Sequence, residues 1–118
     1  MRDLAPDIVR QRLLIEGYFT AAVDEVSIRR FLVDLAAALQ LRTYGQTVVF
    51  APGGMGSDRN EGYDAFVPLI DSGISVYVWS APRFVSVVVF TCKQFDVSTA
   101  VRVTHDSFAM TEMVHQAF

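Results

Sequence analysis

GYDAFVPLIDSGISVYVWSAPRFVSVVVFTC, residues 62–92, contains three apolar runs of strand length with almost nothing between them. The runs 63–70, 74–79 and 84–92 are dominated by Val, Ile, Phe and Tyr, side chains that suit a pleated surface. Asp71-Ser72-Gly73 and Ser80-Ala81-Pro82-Arg83 separate them and consist of turn-forming residues. Links this short predict antiparallel pairing, because a parallel crossover needs a dozen or more residues.

Upstream, RLLIEGYF (12–19) reads as another strand, and Glu16 within it predicts a carboxylate facing a cleft, since a charge is costly in a strand covered on both faces. Asp24 is placed to cap a helix in which Ile28, Phe31, Leu32, Leu35 and Leu39 recur on one face, with Gly45 just past its end. TVVFA (47–51) reads as a strand. The glycine-rich PGGMGSDRNEG (52–62) that follows is long for a hairpin and reads as a lid or a plain loop. Downstream, a second helix is expected from near Asp96 through Ala100, Val101 and His105 toward Phe108, leaving TEMVHQAF as a short terminal strand or tail. This order predicts one α+β domain over residues 1–118: a two-layer sandwich with both helices on one face of an antiparallel sheet.

A chain of 118 residues and 13.1 kDa has room for one domain. With 52% hydrophobic and 19% charged residues it is too apolar to be a disordered chain. Its mean hydropathy of +0.32 exceeds what one small domain conceals, so self-association is expected. The sheet face carrying Val76, Val78, Val87 and Val89, or their alternate neighbours, is the one expected to need a partner. The net charge is -3, and Lys93 is the single lysine beside scattered arginines, which argues against a nucleic-acid partner. A lone cysteine, Cys92, excludes an internal disulfide and any zinc-ligand spacing, and fits a reducing cytoplasm. No metal is expected. The polar N-terminus and the lack of an apolar run near the roughly 18 residues of a membrane span predict a cytoplasmic protein with no membrane partner.

Conventional catalytic arrangements find little support. Both histidines, His105 and His115, lie in the C-terminal helix and tail, so neither Ser72 nor Cys92 has an identifiable histidine base, and neither histidine is assigned a role. GGMGSDRN lacks the Lys-Ser/Thr of a phosphate-binding loop. By itself Ser72 reads as a turn residue, Cys92 as a small buried hydrophobe, Tyr77 and Trp79 as packing residues, and Glu16 as the ion-pair partner of an arginine such as Arg83.

The same 62–92 stretch resembles the core of the bacterial S-adenosylmethionine decarboxylases. Those carry a Gly-Val-Ser strand, then Glu-Ser-His-x-Ser/Thr-x-His-Thr-Trp-Pro-Glu, then a strand ending Phe-Thr-Cys. Without a gap, Ser72 falls on the family's serine, Trp79 on its tryptophan, and Phe90-Thr91-Cys92 on its Phe-Thr-Cys. The order of elements extends the likeness over about residues 11–108. The resemblance implies self-cleavage between Asp71 and Ser72: the Ser72 hydroxyl attacks the Asp71 carbonyl, and the resulting ester is eliminated and hydrolysed to leave a pyruvoyl group. That ketone is the implied cofactor, an electron sink for decarboxylation of a substrate amine. Cys92 corresponds to the family's general acid, Glu16 to the acidic residue on its first strand, and Trp79 to a residue beside the substrate. The resemblance also implies a homodimer pairing sheet to sheet as an αββα sandwich.

Departures from the pattern are as informative. The family's histidine five residues after the serine, which helps remove the serine α-proton, is Tyr77 here, and a phenol is a far weaker base than imidazole near neutral pH. The Gly-Val-Ser serine is Asp64, which offers a compensating base, and the glutamate before the scissile bond is Asp71. The glutamate that holds the substrate ribose aligns with Ala81, so a smaller amine-bearing amino acid such as arginine or ornithine is expected in place of adenosylmethionine. The sequence therefore predicts an S-adenosylmethionine decarboxylase-like, pyruvoyl-type enzyme in or near polyamine metabolism. The alternative is an unprocessed, non-catalytic paralogue acting as a binding or regulatory subunit.

Overall fold

A computed structural model describes residues 1–51 and 61–118; the lid-or-loop reading of the glycine-rich stretch falls almost wholly outside them. The element order is β1 (Gln11–Phe19), α1 (Glu25–Ala38), β2 (Val48–Phe50), β3 (Gly62–Leu69), β4 (Ser72–Trp79), β5 (Phe84–Thr91), α2 (Val97–Phe108) and β6 (Met110–Ala117). The six strands form one sheet in the order β2-β3-β4-β5-β1-β6. Every neighbouring pair is antiparallel. The terminal segment, left open between strand and tail, is an eight-residue edge strand against β1.

Both helices lie on one face of the sheet, α1 over β3 and β4 and α2 over β1 and β6. Alternation along the strands sends Leu13 and Ile15, Val67, Ile74 and Val76, and Val85, Val87 and Val89 toward the helices, each at most 1% exposed. They meet Ile28, Phe31, Leu32 and Leu35 of α1 and Ala100 and Phe108 of α2. Burying one such aliphatic side chain stabilises the fold by about 1.5–3 kcal/mol. Asp24 caps α1 as expected, accepting from the Ser27 amide while Ser27 Oγ accepts from the Asp24 amide. Gly45 does not end the helix. Leu39 is the C-cap, and Gln40 at φ 57° makes the left-handed turn that brings Leu41 back into the core.

The central hairpins correct one sequence reading and decide between the two alternatives of another. The β3–β4 turn consists of Ile70 and Asp71, because Leu69 and Ser72 are already paired; Ser72 and Gly73 belong to the strand. Gly73 is buried because the Phe66 ring lies over it, and a Cβ there would sit 2.4 Å from that ring. The valines named for the open face, Val76, Val78, Val87 and Val89, are in the core. Their alternate neighbours line the face away from the helices, where Tyr18, Phe50, Phe66, Tyr77, Phe90 and Val114 are exposed. Among the described residues no helix is long and apolar enough to cross a membrane.

Candidate active site

Two groups of polar residues stand out, one at an end of the sheet and one across the middle of its open face. The end group forms where the β3–β4 hairpin meets the C-terminus of β5. Ser72 pairs with Thr91, which places Cys92 next to the turn. The Cys92 amide donates to the Asp71 carbonyl oxygen at 2.7 Å, so the carbonyl before Ser72 is already polarised by a main-chain donor. Ser72 has φ 133°, a backbone conformation that a residue with a side chain rarely adopts, and strain of this kind costs on the order of 1–3 kcal/mol. The Cys92 thiol is free and exposed.

Asp71 is buried and held from the segment that follows α1. Arg42 NH2 lies 3.3 Å from its Oδ1, and the Arg42 amide reaches Oδ2 at 3.4 Å. Burial pushes the Asp71 carboxyl up, but the Arg42 guanidinium and amide more than offset it and hold the group below its ordinary value. The same segment bonds the hairpin at two more points, from the Ile70 amide to the Arg42 carbonyl and from the Tyr44 amide to the Pro68 carbonyl.

The second group is a row set by strand register. Glu16 lies opposite Ser86, Ser86 opposite Tyr77, and Tyr77 opposite Asp64. Their side chains share the open face, because their neighbours Ile15, Val87, Val76 and Ala65 point into the core. Ser86 Oγ donates to Glu16 Oε2 at 2.7 Å. Asp64 and Tyr77 border a cleft of about 270 Å³ with Phe50, Phe66 and Ser75, and Glu16 borders another of about 110 Å³ with Tyr18, Phe84 and Glu112. Two residues further along, Trp79 joins an aromatic cluster, its ring 5.6 Å from Phe84, which in turn lies 5.3 Å from Tyr18.

The structure thus brings together Asp71, Ser72 and Cys92, and separately Glu16, Asp64 and Tyr77 with Trp79 nearby. It does not bring the two sets together. Five residues of β4 separate Ser72 from Tyr77, about 16 Å at strand rise. The Glu16–Arg83 ion pair does not form, because Arg83 spends its guanidinium on the carbonyls of Phe19, Thr20 and Ala21. Sequence reasoning missed Ser86, although it interrupts the apolar run FVSVVVF, and it missed Arg42, for which no local signal exists. Ala81 sits exposed in the β4–β5 turn. Among the described residues no three His, Cys, Asp or Glu side chains are grouped to hold a metal ion.

A two-layer α+β domain with an antiparallel sheet open on one face, carrying a strained serine beside a carbonyl polarised from the next strand, defines the class of protein. The profile of the family described as S-adenosylmethionine decarboxylase matches residues 11–118, and the chain belongs to that family. The fold is similar to the crystal structure of the adenosylmethionine decarboxylase from Aquifex aeolicus VF5, with a TM-score of 0.71 and 21% identity over 94% of this chain and 89% of that one. No curated protein matches the chain.

Proposed function

We propose that the chain is a self-processing, pyruvoyl-dependent decarboxylase of polyamine metabolism that works in the cytoplasm as a homodimer. The observation that carries this is the Asp71–Ser72 corner. Attack of Ser72 Oγ on the Asp71 carbonyl carbon breaks the Asp71–Ser72 amide and forms an ester, and the charge developing on the carbonyl oxygen falls where the Cys92 amide already donates. Strain at Ser72 is relieved as that bond breaks. Removal of the Ser72 α-proton then expels the Asp71 carboxylate, and water releases ammonia from the new N-terminus. The residues around Ser72 fit the product: a ketone there would supply an electron sink for a substrate amine, and Cys92, whose amide bonds the Asp71 carbonyl and whose thiol is free and exposed, would be the group to return a proton to carbon.

Asp64 and Tyr77 reach Ser72 only from a second copy. Face-to-face pairing about a two-fold axis that crosses the strands midway between the Ser72 and Tyr77 levels exchanges the two levels, setting each chain's Glu16–Asp64 row at the level of its partner's β3–β4 turn, where the Asp71–Ser72 bond lies. It also covers Tyr18, Phe66 and Phe90. The substrate is a small cationic amino acid of the arginine or ornithine type, since the row offers Glu16 and Asp64 as carboxylates and the ribose acceptor position is Ala81.

Intact mass decides the processing step: two fragments split at Asp71–Ser72 support the proposal, whereas a single species near 13.1 kDa favours the unprocessed regulatory paralogue. Carbon dioxide release and thermal shift with arginine, ornithine and adenosylmethionine then decide the substrate. Turnover of adenosylmethionine alone overturns the small-amine assignment.

A further inference from the structure

Both histidines of the chain, on different elements and unused by the proposed reaction, border the same cleft. It lies between α2 and β6, has a volume of about 380 Å³, and has a half-buried apolar floor of Val97, Val101 and Met113. His115 reaches it because it pairs with Ile15, a core-facing position, and so stands on the helix side of β6. His105 and Arg102 come from the exposed flank of α2. The cleft is therefore on the opposite side of the sheet from Glu16 and Asp64 and remains open when the other face is covered.

In a chain of net charge -3, three basic side chains converge here against one carboxylate. That carboxylate, Asp106, lies 3.1 Å from His105 Nδ1, which leaves Nε2 for a ligand. Arg102 enters none of the ion pairs among the described residues. Ser98 adds a hydroxyl at the rim. We propose that this cleft binds a small organic anion, a carboxylate or phosphate carried on an apolar body. The body lies on Val97, Val101 and Met113, and the anionic group is held by Arg102 and the two imidazoles. The imidazolium form of each ring donates from both nitrogens, and Asp106 lines the cleft beside Arg102, whose charge also acts on Asp96 at the start of α2.

The test follows the histidine ring resonances of the full chain by NMR, assigned with His105→Gln and His115→Gln. The probes are benzoate, phenyl phosphate, inorganic phosphate and neutral benzyl alcohol, all at one pH of about 6. Saturable shifts of both histidines are expected with the two aromatic anions, more weakly with inorganic phosphate. Affinity should fall about tenfold in Arg102→Ala with partial recovery in Arg102→Lys. Equal response to benzyl alcohol, a response matched by chloride at the same ionic strength, or unchanged affinity in Arg102→Ala overturns the proposal. The probe series on the unaltered chain stands even if a variant misfolds.

Discussion

The corner at Asp71–Ser72 and the row from Glu16 to Asp64 are built from different materials. At the corner the groups aimed at the chemistry belong to the main chain: a strained φ at Ser72, an amide of Cys92, a carbonyl of Asp71. One chain supplies all three. The row consists of side chains spread over four strands on an open face, with the Ser86–Glu16 hydrogen bond as its one internal tie among the described residues. The corner presents its carbonyl and its donor from one chain, whereas the bases proposed for Ser72 stand on the open face and come against it only from a second copy.

The sharpest way to break the comparison is Ser72→Ala, which should abolish self-cleavage outright on a denaturing gel. Asp64→Ala should slow cleavage more than Tyr77→Phe does, because a carboxylate accepts a proton near neutrality where a phenol does not. Cleavage retained in Ser72→Ala refutes the mechanism, and the reverse ranking of the other two moves the base to Tyr77.

Val88→Arg tests whether the row must come from a partner. Val88 lies half-buried on the open face at the level of the proposed axis, opposite Ser75, so two like charges would meet there. Light scattering should show dimer association weakened by about 100-fold or more, with the circular dichroism of the monomer unchanged. Cleavage at the unaltered rate in a monomeric Val88→Arg chain would show that the corner acts alone.

Arg42→Ala loosens the corner without touching the row. The folded Asp71 carboxyl sits below its ordinary value of 3.8, so the native state binds fewer protons there than the unfolded chain. Its stabilising contribution is present above that ordinary value and is lost as the pH falls through the lower folded value. Urea midpoints measured across the acid limb should therefore fall less steeply in Arg42→Ala than in the parent, and cleavage should slow several-fold. The smallest effect is expected from Ser86→Ala, which removes one hydrogen bond to a half-exposed carboxylate and should cost about 1 kcal/mol or less in urea unfolding. A larger loss would mean that Glu16 is more buried in solution than the isolated chain shows.

Much of the fold was legible because its signals are local. Strand-length apolar runs with short links require antiparallel pairing, and Asp24 with its i, i+3, i+4 apolar series requires a capped amphipathic helix; both depend only on residues a few positions apart. The corner was legible only through the gapless resemblance of residues 62–92 to the family's motif, and one hairpin and one more strand bring its residues together. Ser72 was misplaced into the turn because turn propensity of Asp-Ser-Gly outweighed the pairing of Leu69 with Ser72 in a purely local reading.

The row was not legible as a row. Glu16, Asp64 and Tyr77 were each nominated, but their alignment with Ser86 is a matter of register among β1, β3, β4 and β5, and shifting any strand by one residue would turn its side chain to the core. What the sequence by itself determined is therefore the identity of the elements, the class of fold and the family, all carried by neighbours along the chain. The tertiary structure alone decided which face stays open, that Arg83 is spent on carbonyls while Ser86 takes Glu16, and that Ser72 and Tyr77 stand five strand residues apart. Those outcomes depend on which strand lies beside which, a competition among distant segments that no local pattern encodes.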